Sequence, residues 1–246
     1  MFLHLYEIPS KRTDELQGQI NRAVSFVDAD LTDLFKTCEK ENVNISLVKE
    51  DVPSDRFLRA YLKYCNPEKK FCSHALLMDS STQHFMLTDS VVNVNPSAKE
   101  LVKIVENSLN FHKFLYPEIE PIHVNLLTNN GHFSLSNETS CKMRLVKSEL
   151  EEKYPNELWI TEWQLDTCLY YESRRDKHIE GSLYVTPDII VVPNLDTGNA
   201  IYKALMKQYK CLGFVLGGTT PAVLNSRSDL DKNEECIKIL KEYKLG

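Results

Sequence analysis

Hydrophobic residues fall into short runs that alternate with longer stretches of helical periodicity. The runs predict strands at residues 43–48, 74–79, 84–87, 91–94, 122–127, 188–192, 213–216 and 222–225. Apolar positions spaced three and four apart predict helices at residues 11–27, 31–35, 57–61, 97–115, 197–209 and 229–243, and residues 137–153 are predicted to form a charged surface helix. This alternation is typical of an α/β sheet with helices on both faces.

Composition excludes several classes of function. The 246 residues carry a formal net charge of −6, so the chain lacks the cationic field that binding to duplex nucleic acid requires. Only 8 glycines are present, and none lies between Gly18 and Gly131. Walker loops and dinucleotide fingerprints need closely spaced glycines, so nucleotide binding by those devices is not expected.

The cysteines and the hydropathy pattern predict an intracellular protein. Seven dispersed cysteines without a CxxC pair predict buried thiols in a reducing compartment. Cys72, His74 and His84 do not have the spacing of a zinc site, so no metal is expected. The N-terminus has no basic leader, and no stretch approaches the ~18 apolar residues of a membrane helix. We therefore expect a soluble, cytoplasmic protein that binds no membrane.

Candidate chemistry concentrates in the segment from residue 187 to residue 229. Asn199 and Lys203 lie four apart and share a helix face, and Ser226 and Arg227 precede the last predicted helix. Ligands of open α/β sheets bind outside the carboxyl ends of strands, where helix N-termini attract anions. A guanidinium fork beside hydroxyl groups suits a phosphate. An ordinary helix cap, with Arg227 paired to a carboxylate, is the alternative explanation.

The same segment resembles the phosphate acetyltransferase/phosphate butyryltransferase family. That family carries P-D-L-x-x-G-N-x-x-x-K, then a glycine-bearing strand end, a proline and L-x-S-R. The corresponding positions here are 193–203, 217–218, 221 and 224–227. Weaker family motifs match in the same order at 47–62, 73–109 and 141–143. The resemblance thus runs from about residue 43 to about residue 233.

The resemblance implies a two-domain α/β architecture of the isocitrate/isopropylmalate-dehydrogenase type, with the active site in an interdomain cleft. Domain I would comprise a shortened first segment, 1–72, and a second segment, 214–246. Domain II, residues 73–213, would be inserted between them. The family also implies a homo-oligomer, most simply a dimer.

The implied reaction transfers an acetyl or short-chain (butyryl-type) acyl group between coenzyme A and inorganic phosphate, giving acyl phosphate. Coenzyme A is then a substrate, and no tightly bound cofactor is implied. Ser226 and Arg227 would be the catalytic residues. The residues implied to bind phosphate or coenzyme A are Arg59, Lys49, Ser54, Gly198, Asn199, Lys203, Asp89 and Asn93.

Departures from the family pattern leave a second function open. Glu50 stands where the family has glycine after its lysine, and residues 162–168 lack the family's D-G-P-L-x-x-D turn. In an active enzyme Glu50 must point away from the anion or be neutralised by Lys49 or Arg59. An active enzyme would also have a reshaped acyl pocket, lined by Trp163, Tyr170 and Tyr171.

The alternative is a catalytically impaired homologue that binds a phosphate- or coenzyme A-type ligand or a protein partner. A purely structural subunit is a third interpretation. The retained Ser226 and Arg227 favour the enzyme, whereas Glu50 and the altered 162–168 segment favour the impaired homologue.

Overall fold

The computed structural model describes residues 1–7, 22–26 (backbone only), 30–41, 43–129, 133–179 and 185–243. The chain divides into two compact units. Unit 1 comprises Met1–His74 and Cys211–Gly246, and unit 2 comprises Ala75–Lys210.

The described residues form ten strands, eight α-helices and one 3-10 helix. The strands are β1 (Phe2–Tyr6), β2 (Arg22–Phe26), β3 (Ser46–Lys49), β4 (Ser73–Asp79), β5 (His84–Thr88), β6 (Ile122–Leu126), β7 (Leu158–Thr161), β8 (Ile189–Val191), β9 (Lys210–Leu216) and β10 (Ala222–Val223). The α-helices are α1 (Thr32–Lys40), α2 (Ser54–Tyr64), α3 (Ala98–Leu115), α4 (Glu138–Lys153), α5 (Leu165–Leu169), α6 (Tyr171–Asp176), α7 (Leu195–Leu205) and α8 (Asn233–Tyr243). The 3-10 helix spans Arg227–Lys232.

Each unit is built on a mixed sheet. In unit 1 the strand order is β2-β1-β3-β10-β9, and only the β10–β9 pair is antiparallel. In unit 2 the order is β4-β5-β8-β6-β7, and only the β4–β5 pair is antiparallel. Every residue of β1, β3, β6 and β8 is buried, as expected for strands covered on both faces.

Side-chain caps fix where the long helices of unit 2 begin. The Ser97 hydroxyl accepts from the Glu100 amide, and the Glu100 carboxylate accepts from the Ser97 amide, which forms a capping box before α3. Asn137 and Asn194 cap α4 and α7, each accepting an amide three residues later. The predicted helices at 97–115, 137–153 and 197–209 are confirmed, although α7 ends at Leu205.

Several element predictions were wrong. Residues 91–94 form bends rather than a strand. The backbone amides of Val91, Val92 and Asn93 donate hydrogen bonds to the Asp89 carboxylate, which turns the chain away from the sheet. Residues 22–26 of the predicted helix 11–27 are a strand paired with β1, and residues 11–21 lie outside the described ranges. The predicted helix 229–243 begins at Asn233, after the 3-10 helix. The pattern missed β1, β7, α5 and α6.

The predicted thiols are confirmed. The seven cysteines, all in described ranges, are free, and all except the half-buried Cys141 are buried. Within the described part of the chain, no helix is long and apolar enough to cross a bilayer. No cluster of three or more His, Cys, Asp or Glu in that part could hold a metal ion.

An aromatic cluster fixes the edge of the unit 2 sheet. The ring of His123 on β6 stacks on Trp159 at 3.8 Å between centroids and meets the edge of Trp163 at 5.0 Å. Its Nε2 lies 2.8 Å from the Thr161 hydroxyl. Burial, with a smaller contribution from Arg174, lowers the pKa of His123 to about 3.

His123 therefore makes stability sensitive to acid. An unfolded histidine titrates near pH 6.5, so between about pH 6.5 and 3 the unfolded chain binds a proton that the folded chain does not. The loss of stability attributable to His123 is absent above pH 6.5 and grows by about 1.4 kcal/mol per pH unit between pH 6.5 and about 3. In urea titrations at pH 7.5 and 5.0 we expect His123→Gln to reduce the acid loss by about 2 kcal/mol.

The exposed His178 provides the control for that measurement. His178→Gln should change the free energy of unfolding by the same amount at the two pH values. An equal acid loss in His123→Gln and in the parent would show that other groups govern the acid sensitivity.

Candidate functional site

Ser226 and Arg227 lie at the start of the 3-10 helix rather than of the last α-helix. Asp229, with φ −124° and ψ 22°, interrupts the helical geometry before α8 begins. Arg227 is 58% exposed, and its Nη2 lies 3.8 Å from the Glu7 carboxylate. The predicted cation is therefore accessible, and it has an acidic neighbour.

Glu7 also holds a second arginine. Arg56, in the first turn of α2, donates from Nη1 to Oε1 of Glu7 at 2.8 Å. The other carboxylate oxygen, Oε2, is the one nearest Arg227. Three segments that are distant in sequence thus place two guanidinium groups on one carboxylate. We call these residues the Arg56–Glu7–Arg227 cluster.

The sequence analysis missed Glu7 and Arg56 and selected Arg59 instead. Arg59 lies one turn beyond Arg56, is 74% exposed and forms an ion pair with Asp55. Two arginines three residues apart near the start of α2 were the available signal. Only the position of Glu7 distinguishes them, and it lies 49 residues from Arg56 in sequence.

Lys49 and Ser54 occupy different environments in unit 1. Lys49 ends β3 and is buried, and its Nζ donates to the backbone carbonyl of Glu50 at 3.2 Å. Ser54 is the first residue of α2 and is half-buried.

Glu50 is paired inside unit 1. Its Oε1 lies 2.7 Å from Nδ1 of His4, and both side chains are buried. The partner is thus His4, not Lys49 or Arg59 as the sequence suggested. Oε2 of Glu50 has no hydrogen-bond partner among the described residues.

Asp89 and Asn93 form a local turn at the end of β5 in unit 2. The buried Asp89 carboxylate accepts from three backbone amides and from the Asn93 side-chain amide at 2.6 Å. This pairing explains the four-residue spacing of Asp89 and Asn93 by local structure. The carboxylate shapes the backbone that follows β5.

Gly198 lies in α7 where the helix packs against that turn. A Cβ there would lie 2.9 Å from both Ser90 Cα and Val192 Cγ2, and 3.0 Å from the Asp89 carbonyl oxygen. Asn199 is half-buried on the same helix. Lys203 is exposed, and its Nζ lies 4.7 Å from the centroid of the Tyr202 ring. The glycine is therefore explained by close packing of α7.

A pocket of about 410 Å³ opens in unit 2 at the carboxyl ends of β6 and β8. Parallel strands of α/β sheets commonly present ligand sites at this end. The described residues of its walls are apolar and polar side chains without a charged group. The lining residues are Leu127, Thr128, Asn129, Thr139, Gln164, Leu165, Pro193, Asn194, Thr197 and Ile201.

Lys142 holds one wall of this pocket and was not selected from the sequence. From α4 its Nζ donates to the Pro193 carbonyl at 3.0 Å and to Asn95 Oδ1 and the Pro96 carbonyl at 3.2 Å. Burial lowers the pKa of Lys142, and Glu138 opposes that shift. The C-K-M motif around it was a visible signal.

The altered segment 162–168 contributes to the same pocket. Gln164 and Leu165 line it, and Gln164 Nε2 donates to the Asn129 carbonyl at 2.9 Å. Trp163 instead packs against His123, and Tyr170 is exposed. Trp163, Tyr170 and Tyr171 do not line this pocket, because the first belongs to the aromatic cluster and the other two follow α5.

Comparison with known proteins identifies the family. The pattern of the family described as phosphate acetyl/butaryl transferase matches residues 54–238, three quarters of the chain. The chain belongs to this phosphate acyltransferase family. The resemblance predicted from the sequence is thereby confirmed, and members of the family use acyl-CoA and phosphate as substrates.

Curated relatives carry the same two activities in their names. A phosphate acetyltransferase of Mycoplasma capricolum is 23% identical over 94% of this chain and 69% of its own length. A phosphate acetyltransferase of Rickettsia felis and a phosphate butyryltransferase of Clostridium acetobutylicum are each 28% identical, over 64% and 65% of this chain. This chain spans about half of those two relatives, 46% and 54%.

Solved structures share the fold. A branched-chain phosphotransacylase from Enterococcus faecalis superposes with a TM-score of 0.74 at 22% identity, covering 98% of this chain and 88% of that one. A phosphotransacetylase from Streptococcus pyogenes gives 0.65 at 19% identity, covering 85% and 66%. The predicted α/β fold class is confirmed as that of the phosphotransacylases.

Close packing at Gly198 predicts the effect of adding one methyl group. Alanine favours helices by about 1 kcal/mol over glycine, but overpacking costs about 1–3 kcal/mol. Because two of the three obstructing atoms are backbone, we expect Gly198→Ala to lower the free energy of unfolding in urea titrations.

Ala200→Ser, on an exposed position of the same helix, is the control and should change stability by less than about 0.5 kcal/mol. A Gly198→Ala protein as stable as the parent would mean that α7 can move away from the turn.

Proposed function

We propose that the chain is a phosphate acyltransferase that moves an acetyl or short-chain, butyryl-type acyl group between coenzyme A and inorganic phosphate. Family membership over residues 54–238 supports the reaction class. The observation that carries the proposal is the accessible guanidinium of Arg227 beside Ser226, in the family's L-x-S-R motif. Coenzyme A is a substrate, with no tightly bound cofactor.

In the proposed reaction a phosphate oxygen attacks the thioester carbonyl carbon. A C–O bond forms, the C–S bond breaks, and coenzyme A leaves as the thiolate and takes up a proton. Arg227 binds the phosphate and, with Ser226, stabilises the negative charge that develops on the carbonyl oxygen. Holding both substrates in line removes much of the entropic barrier.

We assign the pocket of unit 2 to the acyl-CoA substrate. Its volume falls in the range of small-molecule sites, about 300–1,000 Å³. Leu127, Leu165 and Ile201 offer apolar contacts to an acyl or pantetheine chain, and Asn129 and Gln164 offer amides to its polar groups. An uncharged lining suits this part of the molecule better than its phosphates.

The remaining assignments are part of the same proposal. Arg59, Lys49, Ser54, Asn199 and Lys203 contact phosphate or coenzyme A. Gly198, Asp89 and Asn93 shape the end of β5 and the start of α7 in unit 2. Residues 1–72 and 214–246 form domain I, and residues 73–213 form domain II. The protein works as a homo-oligomer in the cytoplasm.

Arginine substitutions test the activity. With acetyl-, propionyl- or butyryl-CoA and phosphate, thiol release should be measurable in the parent. Loss of one donor to a developing oxyanion costs about 10²–10³-fold in kcat, and we expect a loss of that size in Arg227→Ala. Arg227→Lys should recover only part of it, since lysine lacks the planar fork.

Arg175→Ala is the matched control, because Arg175 is 57% exposed and lies in an exposed ion pair with Asp176. It should retain the parent's rate. Absence of thiol release with all three thioesters would favour the catalytically impaired homologue.

Glu50→Gln tests whether the residue that replaces the family glycine obstructs phosphate. Because the carboxylate is buried against His4, we expect phosphate affinity by calorimetry to stay within about twofold of the parent. The free energy of unfolding should fall by about 1–3 kcal/mol as the buried pair is weakened. A tenfold gain in phosphate affinity would mean that the carboxylate does face the anion.

A further inference from the structure

We propose that Glu7 is an internal competitor for the phosphate site: its carboxylate holds Arg56 and Arg227, and phosphate binds there by displacing it. This inference rests on the phosphate acyltransferase function proposed above. It adds two residues, Glu7 and Arg56, to the phosphate site. It also assigns to Glu7 the role of weakening phosphate affinity.

The geometry of the Arg56–Glu7–Arg227 cluster is that of an anion site with an anion in place. One carboxylate oxygen accepts from Arg56 at 2.8 Å, and the other faces Arg227 at 3.8 Å. Phosphate presents pairs of oxygens to guanidinium groups in the same manner. Arginine is the residue best suited to this recognition, since its fork remains charged at every physiological pH.

The cluster is open to small anions in solution. The side chains of Arg56, Glu7 and Arg227 are 30%, 34% and 58% exposed. By contrast, Glu50 and Asp89, which follow β3 and β5, are buried with their partners, and Glu162, which follows β7, is 15% exposed and pairs with Arg144 and Lys147. Glu7, at 34%, is the most exposed carboxylate of this group.

Displacement of Glu7 requires only a side-chain rotation. The Glu7 amide donates to Asp51 Oδ1 at 2.9 Å, and the preceding strand β1 is buried along its whole length. The backbone is therefore anchored while the half-exposed carboxylate can turn outward. Once it has left, the guanidinium N–H groups that it occupied can donate to a phosphate without a change in the sheet.

Competition follows from the shared position. The protein binds phosphate only in the fraction of molecules whose carboxylate has released the arginines, so the apparent dissociation constant is the intrinsic one divided by that fraction. A carboxylate on the same chain also acts at high effective concentration. Glu7 therefore lowers phosphate affinity by reducing the fraction of molecules that can bind phosphate.

Calorimetric titration with inorganic phosphate tests this on the full chain. Two partly exposed ion pairs, each of modest strength, correspond to about a 3- to 30-fold increase in phosphate affinity for Glu7→Gln. Glu39→Gln removes the same charge from an exposed position on α1 of unit 1 and should stay within twofold. Arg56→Ala should weaken phosphate binding at least threefold. Glu7→Gln in an Arg227→Ala background should gain less affinity than it does in the parent, because only the contact with Arg56 then remains to be relieved.

The inference is overturned if Glu7→Gln binds phosphate no more tightly than the parent, or if Arg56→Ala binds it equally well. It is also overturned if Glu39→Gln gains as much, because the effect would then be general charge. Thermal melts establish that each variant is folded. Should Glu7→Gln be unstable, Glu7→Asp decides: its shorter side chain spans the two arginines less well, so affinity should again rise.

Acyl-transfer assays on the same proteins separate this inference from the proposed function. In an active enzyme Glu7→Gln should lower KM for phosphate and leave kcat unchanged, because Glu7 has left the site before phosphate reacts. Tighter phosphate binding by Glu7→Gln without turnover in any protein would support the internal competitor and contradict the acyltransferase activity. Turnover by the parent with unchanged phosphate affinity in Glu7→Gln would support the activity and overturn the competitor.

Discussion

The pairing of charges at the carboxyl ends of buried strands is the constraint on which the rest of the structure depends. Strands β1, β3 and β5 are each followed directly by an acidic residue: Glu7, Glu50 and Asp89. Isolated carboxylates next to a closed core are costly, so each must find a partner or remain near water. The three carboxylates are paired in different ways, and each pairing gives its carboxylate a different role.

Asp89 is satisfied locally, by the amides of the turn that it starts, and it fixes the surface against which Gly198 packs. Glu50 is satisfied at long range by His4 on β1, which ties β1 to the end of β3. Glu7 remains partly exposed and is satisfied by two arginines. The first two are parts of the scaffold, and only the third combines charge with access to solvent.

The sequence predicts the scaffold well where one periodic face decides the structure. Helices α3 and α4 follow from their apolar spacing and their caps, and the family resemblance follows from motifs in the correct order. Prediction from the sequence fails where a residue distant in the chain determines the local structure. Residues 22–26 become a strand because β1 is available for pairing, which overrides local helical periodicity. Arg56 and Arg59 lie three residues apart on the same helix, so the local sequence does not distinguish them. Only the ion pair with Glu7, near the start of the chain, identifies Arg56 as the residue in the cluster.

The two departures from the family pattern that argued most strongly against activity are Glu50 and the altered segment 162–168. In each of them the large side chain packs inside its own unit. Glu50 is enclosed with His4, and Trp163 is enclosed with His123 and Trp159. Neither large side chain projects into the unit 2 pocket, and Gln164 and Leu165 form its wall at the altered segment. Substitutions enclosed in this way act on stability before they act on substrates. The side chains left to govern substrate binding in our proposal are the accessible ones. In unit 1, Arg227 and Arg56 combine accessibility with the positive charge that a phosphate requires, and Glu7 opposes it.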